Sequence, residues 1–220
     1  MLEYVMIAVV LVIGYLLGSV NAAVIISKTF YRKDIRTCGS GNAGTTNMLR
    51  TFGKKAAAGT FLVDLLKGIV AALAGLLIMK LLDFDTVTGE VFGAIGAILG
   101  HNWPVYFGFK GGKGVLTSFA VALVIMPVPS LICLGIFIVV VLISRYVSLG
   151  SIIAAFALPF IVYFLGEILG IAGGFSMYFI FAIFMAVLLI ARHHANIGRL
   201  VKGTESKLFS GKKDKSEDKK

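Results

Sequence analysis

Glycine, amide, hydroxyl and basic side chains crowd into three short islands, GSGNAGTTNMLR at 39–50, FKGGKG at 109–114 and RHHANIGRLVKGTE at 192–205. In the first, Gly39, Gly41 and Gly44 fit the GxGxxG spacing of dinucleotide-binding proteins, with Asp64 about twenty residues on. Context removes that reading, because residues 31–38 are a charged loop where a strand is required and Asp64 sits inside an apolar run. Phosphate chemistry remains. Closely spaced glycines let consecutive amides point at an anion, Ser40, Asn42, Thr45, Thr46 and Asn47 add side-chain donors, and Arg50 adds a charged fork. The competing reading is a merely flexible loop.

The second island lacks the Walker pattern, since Gly114 stands where Ser or Thr is needed beside the lysine. Lys113, flanked by Gly111, Gly112 and Gly114 at the start of an apolar segment, still combines a point charge, open amides and the positive end of a helix. Just upstream, His101, Asn102 and Pro104 interrupt the preceding segment, so His101 is either an interhelical hydrogen-bonding residue or a catalytic one. In the third island His193 and Asn196 are three apart and share a face if the helix continues, with Arg192 and Arg199 beside them. A histidine at a membrane face beside arginines tends toward the neutral form, which accepts a proton or holds a hydroxyl. HExxH is absent and no third ligand is near, so no metal is expected. Glu205 reads as a structural partner of the arginines.

Two further pairs matter. Asp64 and Lys67 lie deep in an apolar segment at i, i+3, where each isolated charge costs about 2.5–3.5 kcal/mol, so they should pair or face the interior. Ser148 and Ser151 follow Arg145, and one of them, Ser151 by preference, is a donor to a bound anion or a plain helix cap.

The elements that must position these groups are apolar. Of 220 residues 58% are hydrophobic, a composition that leaves a soluble fold little polar surface and makes the bilayer the solvent. Apolar segments at 4–27, 56–79, 91–107, 115–126, 131–144, 151–165 and 176–191 predict an all-α integral membrane protein with seven transmembrane helices. Pro127 and Pro129 divide the fourth from the fifth. Placing loops 28–55, 108–114, 144–150 and 192–202 in the cytoplasm gathers nearly all Lys and Arg on one side, which sets the amino terminus outside and the carboxyl terminus inside. The first segment reads as a retained helix rather than a signal peptide, because Glu3 occupies the place of the usual positive charge. Residues 1–202 then form one membrane domain, and 203–220 a charged, flexible cytoplasmic tail.

The net charge of +10 does not indicate nucleic acid, because the aromatics lie inside apolar runs and do not alternate with basic residues. Anionic lipid and phosphate-bearing substrates fit better. Cys38 and Cys133 are expected to be reduced thiols. Serine-hydrolase chemistry is excluded by the missing GxSxG, and the HxxxxD of acyl-CoA-dependent acyltransferases is missing too. An organic-phosphate or anion transporter is the alternative, but transporter sites usually sit at the midplane between repeated halves, and no repeat is seen.

GSGNAGTTNMLRTFG, GHNWPVYFGFKGGKG and RHHANIGRLVKGTESK, in this order across nearly the whole chain, resemble the three cytoplasmic motifs of the bacterial acyl phosphate:glycerol-3-phosphate acyltransferase family. The resemblance implies transfer of a fatty acyl group from acyl phosphate to the 1-hydroxyl of sn-glycerol 3-phosphate, an early step of phospholipid synthesis. It implies no cofactor and no acyl-CoA, no obligatory protein partner, and a cytoplasm-facing site in the bacterial inner membrane. It further implies Ser40 and Arg50 as essential, Gly41, Asn42, Thr46 and Asn47 as shaping the pocket, and Gly111, Gly112, Lys113 and Gly114 around the glycerol phosphate. His193, Asn196 and Ser151 are implied as site residues and Glu205 as structural, while the proton acceptor stays open between His193 and a substrate phosphate oxygen.

Overall fold

Apolar runs bounded by glycine, proline and charge fold as helices, and the computed structural model, which describes residues 1–169 and 176–208, contains only helices as regular structure among those residues. The first run, expected as one helix, breaks into α1 (Leu2–Gly18) and α2 (Ala22–Tyr31). The break lies at Asn21, whose side chain accepts the Val24 amide at 3.1 Å and caps α2. A short amphipathic helix, α3 (Thr45–Phe52), follows the first island, and Gly53 separates it from α4 (Lys54–Leu81). With 28 residues and about 1.5 Å per residue, α4 carries the chain well away from the island. Capped by Asp85, α5 (Thr86–Asn102) returns it. The expected segment 91–107 thus starts earlier and stops at Asn102, ahead of Pro104, and Val105–Phe107 is a 3₁₀ turn.

Next come α6 (Val115–Ile125) and α7 (Pro127–Ser144), joined at Met126 with Pro127 in the first turn of α7, where its missing amide costs nothing. The last three are α8 (Val147–Leu169), α9 (Met177–Arg192) and α10 (His194–Val201). Four stretches, Leu2–Tyr31, Lys54–Leu81, Pro127–Ser144 and Val147–Ile168, are long and apolar enough to cross a membrane, and α9 with α10, bent by 57°, can make a fifth. With 11 residues α6 is too short to cross alone. Of the seven expected crossings, four or five among the described residues are thus long and apolar enough to span, and α5 and α6 are not.

Backbone contact between small residues holds the first half together. A methyl group on Gly14 or Gly18 of α1 would collide with the α5 backbone at Gly93 or Ala97, and one on Gly75 of α4 with Gly89. Such close approach is how helices associate in lipid, where apolar burial alone offers no preference. On the other side α7 packs on α8 and α8 on α9, while α6 lies against α4. Leu62, Leu66, Leu77, Leu142 and Ile143 project from the outside of the bundle, a surface suited to hydrocarbon. Because α5, α7 and α9 run back to the end from which α4, α6 and α8 depart, the three islands and the 145–148 turn meet at one end. Lys80, Asp83, Asp85 and Glu90 lie at the other.

Candidate active site

Asn47 builds the first loop. Fully buried, its amide nitrogen donates its two hydrogens to the carbonyls of Cys38 (3.0 Å) and Asn42 (3.0 Å), sharing one of them with Ile35 (3.3 Å), and its oxygen accepts the Ser40 amide at 3.0 Å. Ile35, Ala43 and Met48 anchor the loop from below in a small core with Ala23 and Val24. Arg36 ties it to the second island by donating to the carbonyls of Phe107 (2.8 Å) and Lys110 (3.2 Å), while its own hydrogen bond to Asp34 holds that carboxyl well below the usual carboxylate range. The result leaves Ser40, Asn42, Thr46 and Arg50 on a cavity wall, together with Thr45, whose buried hydroxyl has no hydrogen-bond partner among the described residues.

The glycines of the second island have a steric reason. Gly112 donates its amide to the His101 carbonyl at 3.1 Å, and a methyl group there would overlap His101 Nε2 and approach the Ala43 carbonyl to 2.8 Å. Gly111 packs as closely on the backbone of residues 101 and 102. Gly114 takes a left-handed φ of +77° to start α6, whose first amides lack intrahelical acceptors. Between them Lys113 donates to Asn196 Oδ1, and Arg192 donates to the Gly112 carbonyl at 2.8 Å. Burial, reinforced by Arg199, Arg192 and Arg50 against the opposing pull of Glu205, brings the Lys113 ammonium down to about 8.

In the third island the chain breaks at His193 between α9 and α10. Its Nδ1 lies 2.8 Å from the Leu189 carbonyl, which only accepts, so the ring proton of neutral His193 is on Nδ1 and Nε2 keeps its lone pair. Burial drives its pKa down to about 4, with the positive Lys113 pushing the same way and the Leu189 bond opposing, so the ring is neutral near pH 7. Asn196 links two charges, accepting from Lys113 and donating to Glu205 at 2.6 Å. Glu205 also accepts from Ser148 (2.7 Å) and Arg199 (2.7 Å). Burial pushes the Glu205 carboxyl up, but these hydrogen bonds outweigh it and hold it below its ordinary value. Residues 204–208 are thereby drawn across the loops, with Arg50 donating to the Ser206 carbonyl (2.9 Å) and Leu208 to that of Arg145 (2.8 Å). Most of the expected flexible tail, 209–220, lies outside the described residues.

One cavity of about 460 Å³ joins these groups. Ser40, Arg50, Lys113, His193 and Asn196 line its polar part. Phe119, Leu134, Phe137, Leu158 and Met185, from α6 to α9, line an apolar trough below. Of the sequence-predicted residues Asn42, Thr46, Asn47, Gly114, Ser151, Glu205 and Asp64 also reach the wall; Gly41, Gly111, Gly112 and Lys67 do not. Asp64 and Lys67 pair at 2.8 Å, as their spacing suggested. Ser151 lines the cavity but turns its hydroxyl to the Val147 carbonyl (2.9 Å), whereas Ser148, ranked second on sequence, enters the Glu205 network. Thr45, named on sequence among the donors of the first loop, and His101 also line the cavity, whereas Ser206 was not foreseen and nothing in the sequence marks it.

Such a site can hold anions at the polar end, with helix amides, Arg50 and Lys113, beside a neutral imidazole, and an apolar chain at the other. The comparisons agree in kind. The family profile described as glycerol-3-phosphate acyltransferase matches residues 8–203. Among relatives, the glycerol-3-phosphate acyltransferase of Clostridioides difficile (strain 630) is 44% identical over 206 residues, covering 94% of this chain and 96% of that protein. That of Shouchella clausii (strain KSM-K16) is 43% identical over 209 residues, covering 91% and 94%. The crystal structure of PlsY (YgiH), an integral membrane glycerol 3-phosphate acyltransferase, is similar in its glycerol 3-phosphate form with a TM-score of 0.78 at 35% identity, over 91% of this chain and 94% of that one. Its lysophosphatidic acid form gives 0.75 at 34%.

Proposed function

The chain belongs to the glycerol-3-phosphate acyltransferase family, and from that premise we propose that it moves a fatty acyl group from acyl phosphate directly to the 1-hydroxyl of sn-glycerol 3-phosphate in one membrane cavity. It is a multi-pass membrane enzyme acting on glycerol 3-phosphate, and its product is a lipid. The observation that carries the reading is the continuity of the cavity, with cationic and amide groups at one end and an apolar trough at the other. Each end suits one part of an acyl phosphate, and the cationic end also suits the second anion.

In this mechanism the trough takes the acyl chain and Lys113, Arg50 and the first amides of α6 hold the phosphates. The acceptor hydroxyl attacks the acyl carbonyl, an ester C–O bond forms, and the bond from the carbonyl carbon to the phosphate oxygen breaks. Phosphate leaves as a stable anion and needs little protonation, so positioning and charge neutralisation carry most of the catalysis. The hydroxyl proton passes to His193 Nε2, which Leu189 keeps available by holding the other nitrogen's hydrogen. The low pKa of the unoccupied ring makes it a weak base, and a phosphate dianion beside it strengthens it. Ser40 and Ser151 supply hydroxyls to the bound oxygens, and Asn196 fixes Lys113. The polar end faces the cytoplasm of the bacterial inner membrane, a placement supported by the concentration of Lys and Arg there.

The test is purified protein given labelled glycerol 3-phosphate with either palmitoyl phosphate or palmitoyl-CoA. Equal amounts of lysophosphatidic acid and inorganic phosphate from the first donor alone are expected. Product from the thioester alone, or from neither, overturns the reading.

A further inference from the structure

Beneath the second island lies a buried polar cluster that the mechanism above does not use. Asp64 and Lys67 of α4 and His101 of α5 are 2%, 7% and 3% exposed. The Lys67 ammonium reaches three acceptors, Asp64 Oδ1 at 2.8 Å, the Val20 carbonyl at 2.9 Å and His101 Nδ1 at 2.9 Å. An ammonium donates and has no lone pair, so its contact at Nδ1 assigns the lone pair of the imidazole to that nitrogen, while its approach to Asp64 Oδ1 is an ion pair. The proton of a neutral ring is then on Nε2. Thr117 of α6, 3.3 Å from the same Nδ1 and 3.4 Å from the Asp64 carbonyl, completes the cage.

The free edge of this ring is where Gly112 sits. Gly112 donates to the His101 carbonyl, and its α-carbon lies so near Nε2 that a methyl group would not fit between them. His101 therefore supports residue 112 through both its backbone and its side chain, and the next residue is Lys113. Arg192, donating to the Gly112 carbonyl, clamps the loop from the other side.

We propose that Asp64, Lys67 and His101 are positioning residues for acyl transfer: the ion pair locks the orientation and tautomer of His101, and His101 sets the place of Gly112 and hence of the Lys113 ammonium over the cavity. This rests on the function proposed above and deepens it, since it gives intramembrane charges a task in the reaction beyond pairing with each other. A purely structural ion pair makes a different demand, because its charges need only cancel.

The discriminating variant is Asp64→Asn with Lys67→Met, which removes both charges together and leaves no unpaired ion. It is compared with wild type and with Lys67→Met alone in detergent-purified full-length protein. Three readouts are taken: thermal unfolding, acyl transfer from palmitoyl phosphate, and the ¹⁵N spectrum of the labelled histidines. The expected result for the double variant is a folded, monodisperse protein whose kcat/KM is about tenfold to a hundredfold lower, the scale of a misplacement of about 1 Å. The His101 ring, assigned with a His101→Gln control, should change from the Nε2–H form to a mixture. A folded double variant with wild-type kcat/KM, or an unchanged His101 spectrum, overturns the proposal. Should the double variant not fold, His101→Gln serves in its place, and wild-type kcat/KM in that variant has the same overturning force. Inactive wild-type protein in the same assay would instead count against the proposed function, so the two failures are distinguishable.

Discussion

Replacing Gly112 by alanine adds one methyl group at the point where two islands meet. That carbon would lie 2.8 Å from the Ala43 carbonyl and well inside contact with His101 Nε2. Ordinary carbon contacts are about 3.5–4.0 Å, so the local structure must open by roughly 1 Å. Ala43 is held by its small core and the His101 ring is anchored by Lys67, so the yielding part is the 111–114 loop itself. Lys113 rides on that loop, and a displacement of about 1 Å at a positioning group costs about a hundredfold in rate, or about 2.7 kcal/mol at 1.36 per factor of ten. Overpacking should cost a further 1–3 kcal/mol or so of stability. The assay is steady-state acyl transfer with glycerol 3-phosphate varied, beside thermal unfolding of the same samples. Gly198→Ala is the control, because a methyl group there meets nothing within 4 Å and the site is helical. A Gly112→Ala protein within threefold or so of wild-type kcat/KM would refute the reasoning, since the loop would then tolerate displacement.

The charge state of Lys113 should be visible in the pH profile. With its pKa near 8 in the free enzyme, the ammonium is intact below that value and lost above it, so kcat/KM should fall as pH rises through about 8. Lys113→Arg, which cannot lose its charge in this range, should abolish that alkaline limb whatever its absolute rate; the same limb in the variant would assign it elsewhere. His193→Ala should lower kcat by about 10²–10⁴-fold with little change in KM for glycerol 3-phosphate, and near-normal turnover would point to a substrate phosphate oxygen as the base. Asn47→Ala removes the bonds of two amide hydrogens, one of them shared between two carbonyls, and one accepted bond, worth about 1.5–4.5 kcal/mol together at 0.5–1.5 each. Its melting temperature should drop by roughly 10 °C, and an unchanged value would contradict the role of Asn47 as loop organiser.

Much of this site was legible before any coordinates. The three islands stood out because polar residues are scarce in a chain built for lipid, and the alternation of apolar segments put them at one end. The pairing of Asp64 with Lys67 followed from the cost of isolated charge in a membrane. The rest depended on contacts between distant segments. Glycine in the second island was read as amide exposure, whereas Gly111 and Gly112 are required by close packing on residues 101 and 102, which no local pattern encodes. Asn47 was read both as shaping the pocket and as a donor to the anion; it reaches the wall, but its amide hydrogens are spent on backbone carbonyls. The break at Asn21 carried a signal, a polar capping residue inside an apolar run, while the short helices α3 and α10 were hidden because their amphipathic turns lie within the islands. Ser148 and Ser151 lie on one helical turn, and only the position of Glu205 tells which hydroxyl joins its network.

The central claim is direct transfer between two substrates held together, and the partial reaction without acceptor tests it most directly. Enzyme mixed rapidly with palmitoyl phosphate alone should release no burst of inorganic phosphate, and initial velocities with both substrates varied should give intersecting lines. A burst stoichiometric with enzyme, with parallel lines and a protein-bound acyl group, would contradict it.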